Sequence, residues 1–499
     1  MDAILVALDV LTTPTIIVVV IIGVTWGIFG GAMPGISPPI AMALLLPFTY
    51  TMDPASALIL LTATYIAAEY GGSIPAILIR TPGTSAAAAT LIEGYEMQRR
   101  GKGGEALGIA LVASVIGAVF GLLLVIFLTE PLSRVALAFR PPAYFALGIL
   151  GLSVIASLSE KSLLKGIIAA LIGLMIATIG TDPVSGVVRF AFGYPELLSG
   201  VPFVLVMVGL FAVSELFEQL SIPVWEKISA TRTKLKLPTW AIQKGLFRAN
   251  MIGVGIGSFC GLMPGAGGTV SSFLAYNESK RFARDKASFG NGAPEGVAAP
   301  ESANNCDASV SMIPLLSFGI PASTSAAVLL GGFLIHGLAP GPALFGRNPD
   351  LLYSLFTGML MACIALPFIA FATLKLCVLL VNQPKPYLIS FILVLVFSGS
   401  YSINNSIFDM SIVLGAGVLG FGMRYFGVPV LPTVLGLVLG YLIEANYRRS
   451  LVISRGDHAI FFTDPIAAAF LTIAAVFMVL SIVQAVRQHR KANNRGMPS

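Results

Sequence analysis

The run "APESANNCDASVSMIP", Ala299 to Pro314, places Glu301, Asn304, Asn305, Asp307, Ser309 and Ser311 close together in a strongly apolar chain. Oxygen-rich side chains of this kind suit a hard cation such as sodium. Alternatively, the Asn and Ser groups could hydrogen-bond a polar ligand, and Glu301 or Asp307 could carry a proton. Arg80, in "AILIRTPGTS", is a lone cation that could fork onto a carboxylate, pair with Glu69, or snorkel to the surface. Two further stretches, "GGAMPGISPPIAMA" from Gly30 and "CGLMPGAGGTVSSF" from Cys260, interrupt apolar runs with Pro and Gly. Each interruption is followed by residues that start helices well: Ser37 before Pro38, Thr269 after Gly267 and Gly268, Ser73 near Pro75, Thr84 and Ser85 after Pro82, and Ser323 to Ser325 after Pro321. Free NH groups and the positive dipole ends of such half-helices favour an anion. The expected anion contacts are Gly35, Ser37, Arg80, Thr84, Ser85, Gly265, Gly267, Gly268, Thr269, Ser323 and Thr324. The expected ion contacts are Glu301, Asn304, Asn305, Asp307 and Ser311.

The elements that must hold these residues are membrane helices. Of 499 residues 56% are hydrophobic and 11% charged, and mean hydropathy is +0.89; soluble domains carry about 25% charged residues. Runs long enough to span a bilayer begin near Thr15, Ala106, Tyr144, Leu163, Val201, Phe247, Leu352, Leu388, Ile407, Val430 and Ile466. The chain is therefore expected to be an all-α polytopic membrane protein of about 10–12 spans, with several broken or re-entrant helices. In hydrocarbon, irregular backbone is tolerated only where it is buried in protein or lines a polar cavity. The first residues, "MDAILVALDV", lack a basic n-region and are expected to be retained. The four cysteines have no CxxC spacing and read as buried structural residues.

The broken segments recur. Gly27, Gly31, Met33, Pro34 and Gly35 match Gly257, Gly261, Met263, Pro264 and Gly265 at a constant offset of 230, and "IPAILIRTPGTSAA" matches "IPLLSFGIPASTSA" at 239. Basic clusters at Arg99, Arg100 and Lys102 and at Lys280, Arg281, Arg284 and Lys286 have bare counterparts, around Leu338 to Gly341 and Tyr50 to Ser56. Under the positive-inside rule this describes two inverted-topology repeats. Residues 1–220 form the first half (motifs 27–39 and 69–87) and 247–486 the second (motifs 257–273 and 300–326). Between them lies a basic cytoplasmic linker, 221–246, and a basic cytoplasmic tail, 487–499, follows. Arg448 and Arg449 are placed on the cytoplasmic side with them. The net charge of +6 is explained by these loops beside membrane lipid, so no nucleic-acid partner is expected.

No phosphate loop, HExxH or GxSxG is present; "RRGKGG" at Arg99 lacks the Ser/Thr and the spacing. ATP drive and intramembrane hydrolysis are disfavoured, which leaves a secondary transporter, or an uncoupled channel, as the class. The stretches "GAMPGIS", "GLMPGAGG" and "APESANNCDASVSMIPLLSFGIPAS" resemble the large membrane subunit of the tripartite tricarboxylate transporters, the TctA family, from about Thr15 to Ile482. That resemblance implies a bacterial inner-membrane permease, not an enzyme. It also implies ion-driven uptake of citrate-like di- and tricarboxylates, coupled to sodium or protons, with no other cofactor. Alternating access, by an elevator or another motion of the repeat-derived core against the remaining helices, is expected from the paired broken segments. A small four-span TctB-like subunit and a periplasmic TctC-like binding protein are the implied partners.

Overall fold

A computed structural model describes residues 3–33, 35–157, 163–182, 186–221, 234–381 and 385–493. Residue Pro34, part of the basic linker (222–233) and the end of the tail (494–499) lie outside the described residues. The described chain is almost wholly helical, with one two-stranded hairpin, Gly180–Thr181 against Val188–Arg189. Eight described helices are long and apolar enough to cross a membrane, and five shorter apolar helices accompany them. The span Pro54–Ile79 is one of the eight although it did not stand out as a run, while the run from Val430 is not, because helix Leu431–Ile453 carries Glu444, Arg448 and Arg449.

The chain folds into two compact units that each draw on both halves of the sequence. One unit takes 1–134 and 211–410, the other 135–210 and 411–499. All candidate site residues fall in the first. Its repeat helices are α1 (Pro14–Ala32), α2 (Pro38–Thr49), α3 (Pro54–Gly71), α4 (Ser73–Ile79), α5 (Ala87–Arg99) and α6 (Gly103–Ala136). The second half supplies α7 (Trp240–Leu262), α8 (Gly267–Phe282), α9 (Glu295–Val310), α10 (Met312–Phe318) and α11 (Thr324–Ile335).

The repeat holds at the level of single contacts. A Cβ on Gly27 would meet Thr64 O at 2.5 Å and the Ala67 Cβ; one on Gly257 would meet Ala303 O at 2.3 Å and the Cys306 Cβ. These are equivalent positions at the two offsets. The glycines let α1 lie directly on α3 and α7 on α9, the small-residue packing that replaces hydrophobic drive in lipid. Both α1 and α7 end in an extended Met, Met33 and Met263, followed by a left-handed glycine, Gly35 (φ 91°) and Gly265 (φ 88°). The α4 and α10 helices end in left-handed caps 239 apart, Arg80 (φ 58°) and Gly319 (φ 74°).

The Ile-Pro motifs do not break their helices as expected. Only Gly72 separates α3 from α4, and only Ser311 separates α9 from α10, both residues in right-handed helical conformation. Pro75 and Pro314 fall in the first turn of the following segment, where a missing NH costs little. The real breaks come later, at Thr81 to Ala86 and Gly319 to Ser323. There Thr84 Oγ1 accepts from Ala87 N at 3.2 Å and Ser323 Oγ from Ala326 N at 3.1 Å, again equivalent caps.

Direction follows from the loops. Glu93 near the end of α5 accepts from Gly292 N and Ala293 N, just before α9, and Lys236 N donates to Gly104 O at the start of α6. Basic loops 99–102, 234–239 and 283–294 therefore share one end of the unit. At the other end Asp53, which caps α3 through Ser56 N, is an electrostatic neighbour of His336 at the end of α11. The α3 to α5 run thus leads toward the basic end, and α9 to α11 leads away from it. The repeats are inverted.

In the second unit, helix Leu163–Ala177 lies along Leu431–Ile453, with Thr433 Oγ1 donating to Ala169 O at 2.8 Å and Gly440 facing the Ala177 Cβ. At its far end Arg448 pairs with Asp182 (2.7 Å) and Glu444 (2.6 Å), and Arg189 pairs with the same two acids. The Tyr447 and Phe461 rings stack there at 5.5 Å, beside the start of helix Pro465–Asn493. That helix, about 43 Å long at 1.5 Å per residue, carries Arg487 to the opposite end. Arg448 and the basic tail cannot both face the cytoplasm, which corrects the placement read from sequence. The reason is electrostatic: Arg448 is neutralised by Asp182 and Glu444, so it is no topological signal.

Gly255 on α7 has open space where Gly257 has backbone. Gly257→Val should therefore remove most detergent-stable protein, through overpacking that costs on the order of 1–3 kcal/mol or more, whereas Gly255→Val should be tolerated. Size-exclusion profiles and melting curves of the two variants check this.

Candidate functional site

The site is built on two facing helices, α3 and α9. The α9 segment Gly296–Val310 is buried throughout despite its charges. Asn304, Asp307 and Ser311, spaced three and four apart, project from one face. Asn304 Nδ2 donates to Glu69 Oε2 on α3 at 3.0 Å. The Tyr65 hydroxyl, one turn earlier on α3, lies 3.4 Å from Ser311 Oγ and 3.2 Å from Ser323 Oγ. Tyr65 and Asn304 are equivalent positions of the repeat, so each half sends one polar side chain across to the other.

Helix starts converge on this row. A Cβ on Gly268 would lie 2.2 Å from Asn304 Oδ1 and 3.5 Å from the Ala86 Cβ, so the first turns of α8 and α5 meet at Asn304. Gly265 N donates to Ala322 O at 2.9 Å, which ties the α8 break to the loop that starts α11, and Ser323 there reaches Tyr65. Three of the five expected half-helix starts are thus brought together. Helix α8 begins at Gly267, so the expected cap Thr269 lies inside its first turn. The fourth start, α2, is placed differently: a Cβ on Gly35 would run into the Gln219 side chain, so Gly35 faces helix Ser214–Ser221.

Within the row, roles differ. Glu301 Oε1 accepts from Thr90 Oγ1 at 2.5 Å and Oε2 from Ser114 Oγ at 3.0 Å, so both its oxygens already have donors. Asn305 Nδ2 is bonded to Glu301 O at 3.1 Å. Asn304 Oδ1, Asn305 Oδ1 and Asp307 Oδ1 are buried with no hydrogen-bond partner. Such acceptors cost free energy unless a ligand or water serves them. Arg80 is exposed, its guanidinium 5.7 Å from the Tyr95 ring centroid, and forms no ion pair with Glu69 or any other described residue. Thr84 is buried against Gly72, while Ser85 beside it is exposed.

Sequence reasoning missed Tyr65 and gave Glu69 only as a partner for Arg80. The offset of 239 could have found Tyr65, the repeat mate of Asn304, and an acid within the apolar run 54–79 pointed to Glu69. Also missed was Glu93, fully buried, which accepts from Tyr276 Oη (2.8 Å), Gly292 N (2.7 Å), Ala293 N (2.9 Å) and Gly290 N. The nine residues by which the second half exceeds the first lie between its two motifs, and the 283–294 loop that Glu93 pins is where they form a longer connection into α9.

Two inverted repeats with broken helices around a buried polar row define a membrane transport protein of the inverted-repeat kind. The sequence profile of the tripartite tricarboxylate transporter TctA family matches residues 17–435, and the chain belongs to that family. It is 38% identical over 481 residues to a protein of Agrobacterium vitis described as an uncharacterized 52.8 kDa protein in the TAR-I ttuC' 3' region, covering 96% of this chain and 95% of the relative. A second relative from that organism, an uncharacterized protein in the TAR-II ttuC' 3' region, is 38% identical over 234 residues, 47% of this chain and 97% of its own length. No solved structure matches.

Glu93→Ala would strip four donors of their acceptor, at about 1–3 kcal/mol for each group left unsatisfied. The expected outcome is a melting temperature lowered by many degrees, with a smaller drop for Tyr276→Phe; differential scanning fluorimetry on purified protein reads both.

Proposed function

We propose that this chain is the transport subunit of an ion-gradient-driven symporter for citrate-like di- and tricarboxylates in the bacterial inner membrane. The observation that carries the reading is the convergence of the α5, α8 and α11 starts on one buried polar row, since each start turns a positive dipole end toward an anion. The carboxylates would be held at Thr84, Ser85, Gly267, Gly268, Thr269, Ser323 and Thr324, with Gly265 fixing the break. Arg80, an accessible cation between the α4 end and the α5 start, would take a further carboxylate of the same solute. Gly35 and Ser37 would line the opposite break.

Membership of a tripartite family supports two partners, a small four-span TctB-like subunit and a periplasmic TctC-like protein that delivers substrate. The basic end of the first unit would face the cytoplasm under the positive-inside rule, as would the tail after Arg487. Energetically, tenfold accumulation needs about 1.4 kcal/mol, and one net positive charge entering down 100 mV supplies about 2.3 kcal/mol. Motion of the repeat core in alternating access, an elevator included, fits paired broken helices.

Uptake of labelled citrate and a carboxylate panel into proteoliposomes, with both partners present and sodium and proton gradients imposed separately, tests the reading. Accumulation above equilibrium under one gradient is expected, and equilibration alone would identify a channel. Arg80→Gly isolates the substrate role of the cation, because glycine already occupies the equivalent left-handed cap at Gly319 and relieves a strain of about 1 kcal/mol. The variant should be at least as stable as the parent yet at least tenfold poorer in uptake; unchanged uptake would remove Arg80 from the site.

A further inference from the structure

We propose that Glu69, Asn304 and Asp307, with the hydroxyls of Tyr65 and Ser311, form a site for a monovalent hard cation, sodium, between the two repeats. The proposal rests on the ion-driven reading above and narrows it to particular atoms and one ion.

The Asn304 amide has only one orientation open to it. Its Nδ2 donates to Glu69 Oε2, so Oδ1 is left as an acceptor, 98% buried residue and all, with no donor. Asp307 Oδ1 is in the same condition. Ser311 spends its proton on Ala308 O at 2.8 Å, so its oxygen too presents lone pairs to the Tyr65 side. The carboxylates of Glu69 and Asp307 lie within each other's electrostatic reach, and Tyr65 within reach of both. Among the described residues no Lys, Arg or His pairs with either acid; Cys260, Cys306 and Glu301 are the other titratable neighbours. Beside the Asn304 Nδ2 and Tyr65 O–H donors the cluster therefore offers only oxygens, two of them buried and unserved, and it holds two carboxyl groups with no cation among the described residues, in a setting where charge must be paired.

A proton and a sodium ion would meet this need differently. A proton on Asp307 turns one oxygen into a donor and can serve one acceptor, leaving the remaining oxygens unserved. A sodium ion draws several oxygens at once and offsets the repulsion between the two acids, as hard cations do with oxygen ligands. An ion that must leave at every transport cycle also favours one charge over two. Glu301 is outside the site: Thr90 and Ser114 already occupy its two oxygens. Its work is to hold α9 against α5 and α6.

The test is equilibrium binding of radioactive sodium to the purified chain, alongside melting curves in sodium, potassium, choline, magnesium and calcium chlorides at fixed ionic strength. Saturable binding of one sodium per chain is expected, with a rise in melting temperature that the other salts do not give. Asp307→Asn and Asn304→Ser should each weaken that binding at least tenfold, and the surface change Glu278→Gln should leave it alone. Absence of sodium binding by the unaltered chain overturns the proposal, as does equal stabilisation by potassium or a divalent ion. So does unaltered sodium affinity in both folded site variants. Carboxylate accumulation under a proton gradient in a protein that binds no sodium would end the cation proposal and keep the transport reading. Intact sodium binding with no carboxylate uptake, partners present, would do the reverse.

Discussion

Polar groups that this chain carries into the membrane must find partners inside the chain or in a ligand or water, and that constraint organises the first unit. Hydrocarbon offers no hydrogen bonds, so a buried helix such as α9, with two buried acids and two buried amides, can exist only if neighbouring helices supply donors and acceptors. They do so in pairs drawn from the two repeats. Thr90 and Ser114 serve Glu301, Asn304 serves Glu69, and Tyr65 meets Ser311 and Ser323. Each half is thereby incomplete without the other. The inverted repeat is more than a record of duplication; it is how the polar row is shielded.

Close backbone approach makes that pairing possible. Gly27, Gly31, Gly257 and Gly261 let α1 and α7 touch carbonyls of α3 and α9, where any side chain would collide. The same two helices then stop at an extended Met and a left-handed Gly, so that α8 starts beside the polar row while α2 starts near Gln219. Packing and chemistry share the same residues. A change made for one disturbs the other.

The symmetry is broken where function would need it. Arg80 and Gly319 have one backbone conformation and different side chains, so only the first repeat brings a cation to its break. Gly268 opposes Asn304, whereas its repeat mate Pro38 starts a helix near Gln219. The longer connection before α9, pinned by Glu93, exists only at the basic end. Equivalent backbones thus carry unequal side chains, a cation at the break of the first repeat and unserved oxygens on α9 of the second.

The sequence by itself determined the repeat, its inversion and the polar row. Left-handed and close-approach positions demand glycine, proline marks helix starts, and loop charge records topology, so all three leave traces at fixed offsets along the chain. It also placed Asn304, Asp307 and Ser311 together, because they lie in one short polar run of the chain. Tertiary structure alone decided which oxygens remain unserved, that Glu301 is satisfied while Asn304 is not, and that Arg448 is neutralised by Asp182 and Glu444. It also decided that the Ile-Pro motifs continue their helices, and that the chain's units cut across its halves. Those facts depend on partners up to 266 residues apart in sequence, Asp182 and Arg448 among them. A hydrogen bond or ion pair is set by distance in space, and no spacing along the chain encodes it.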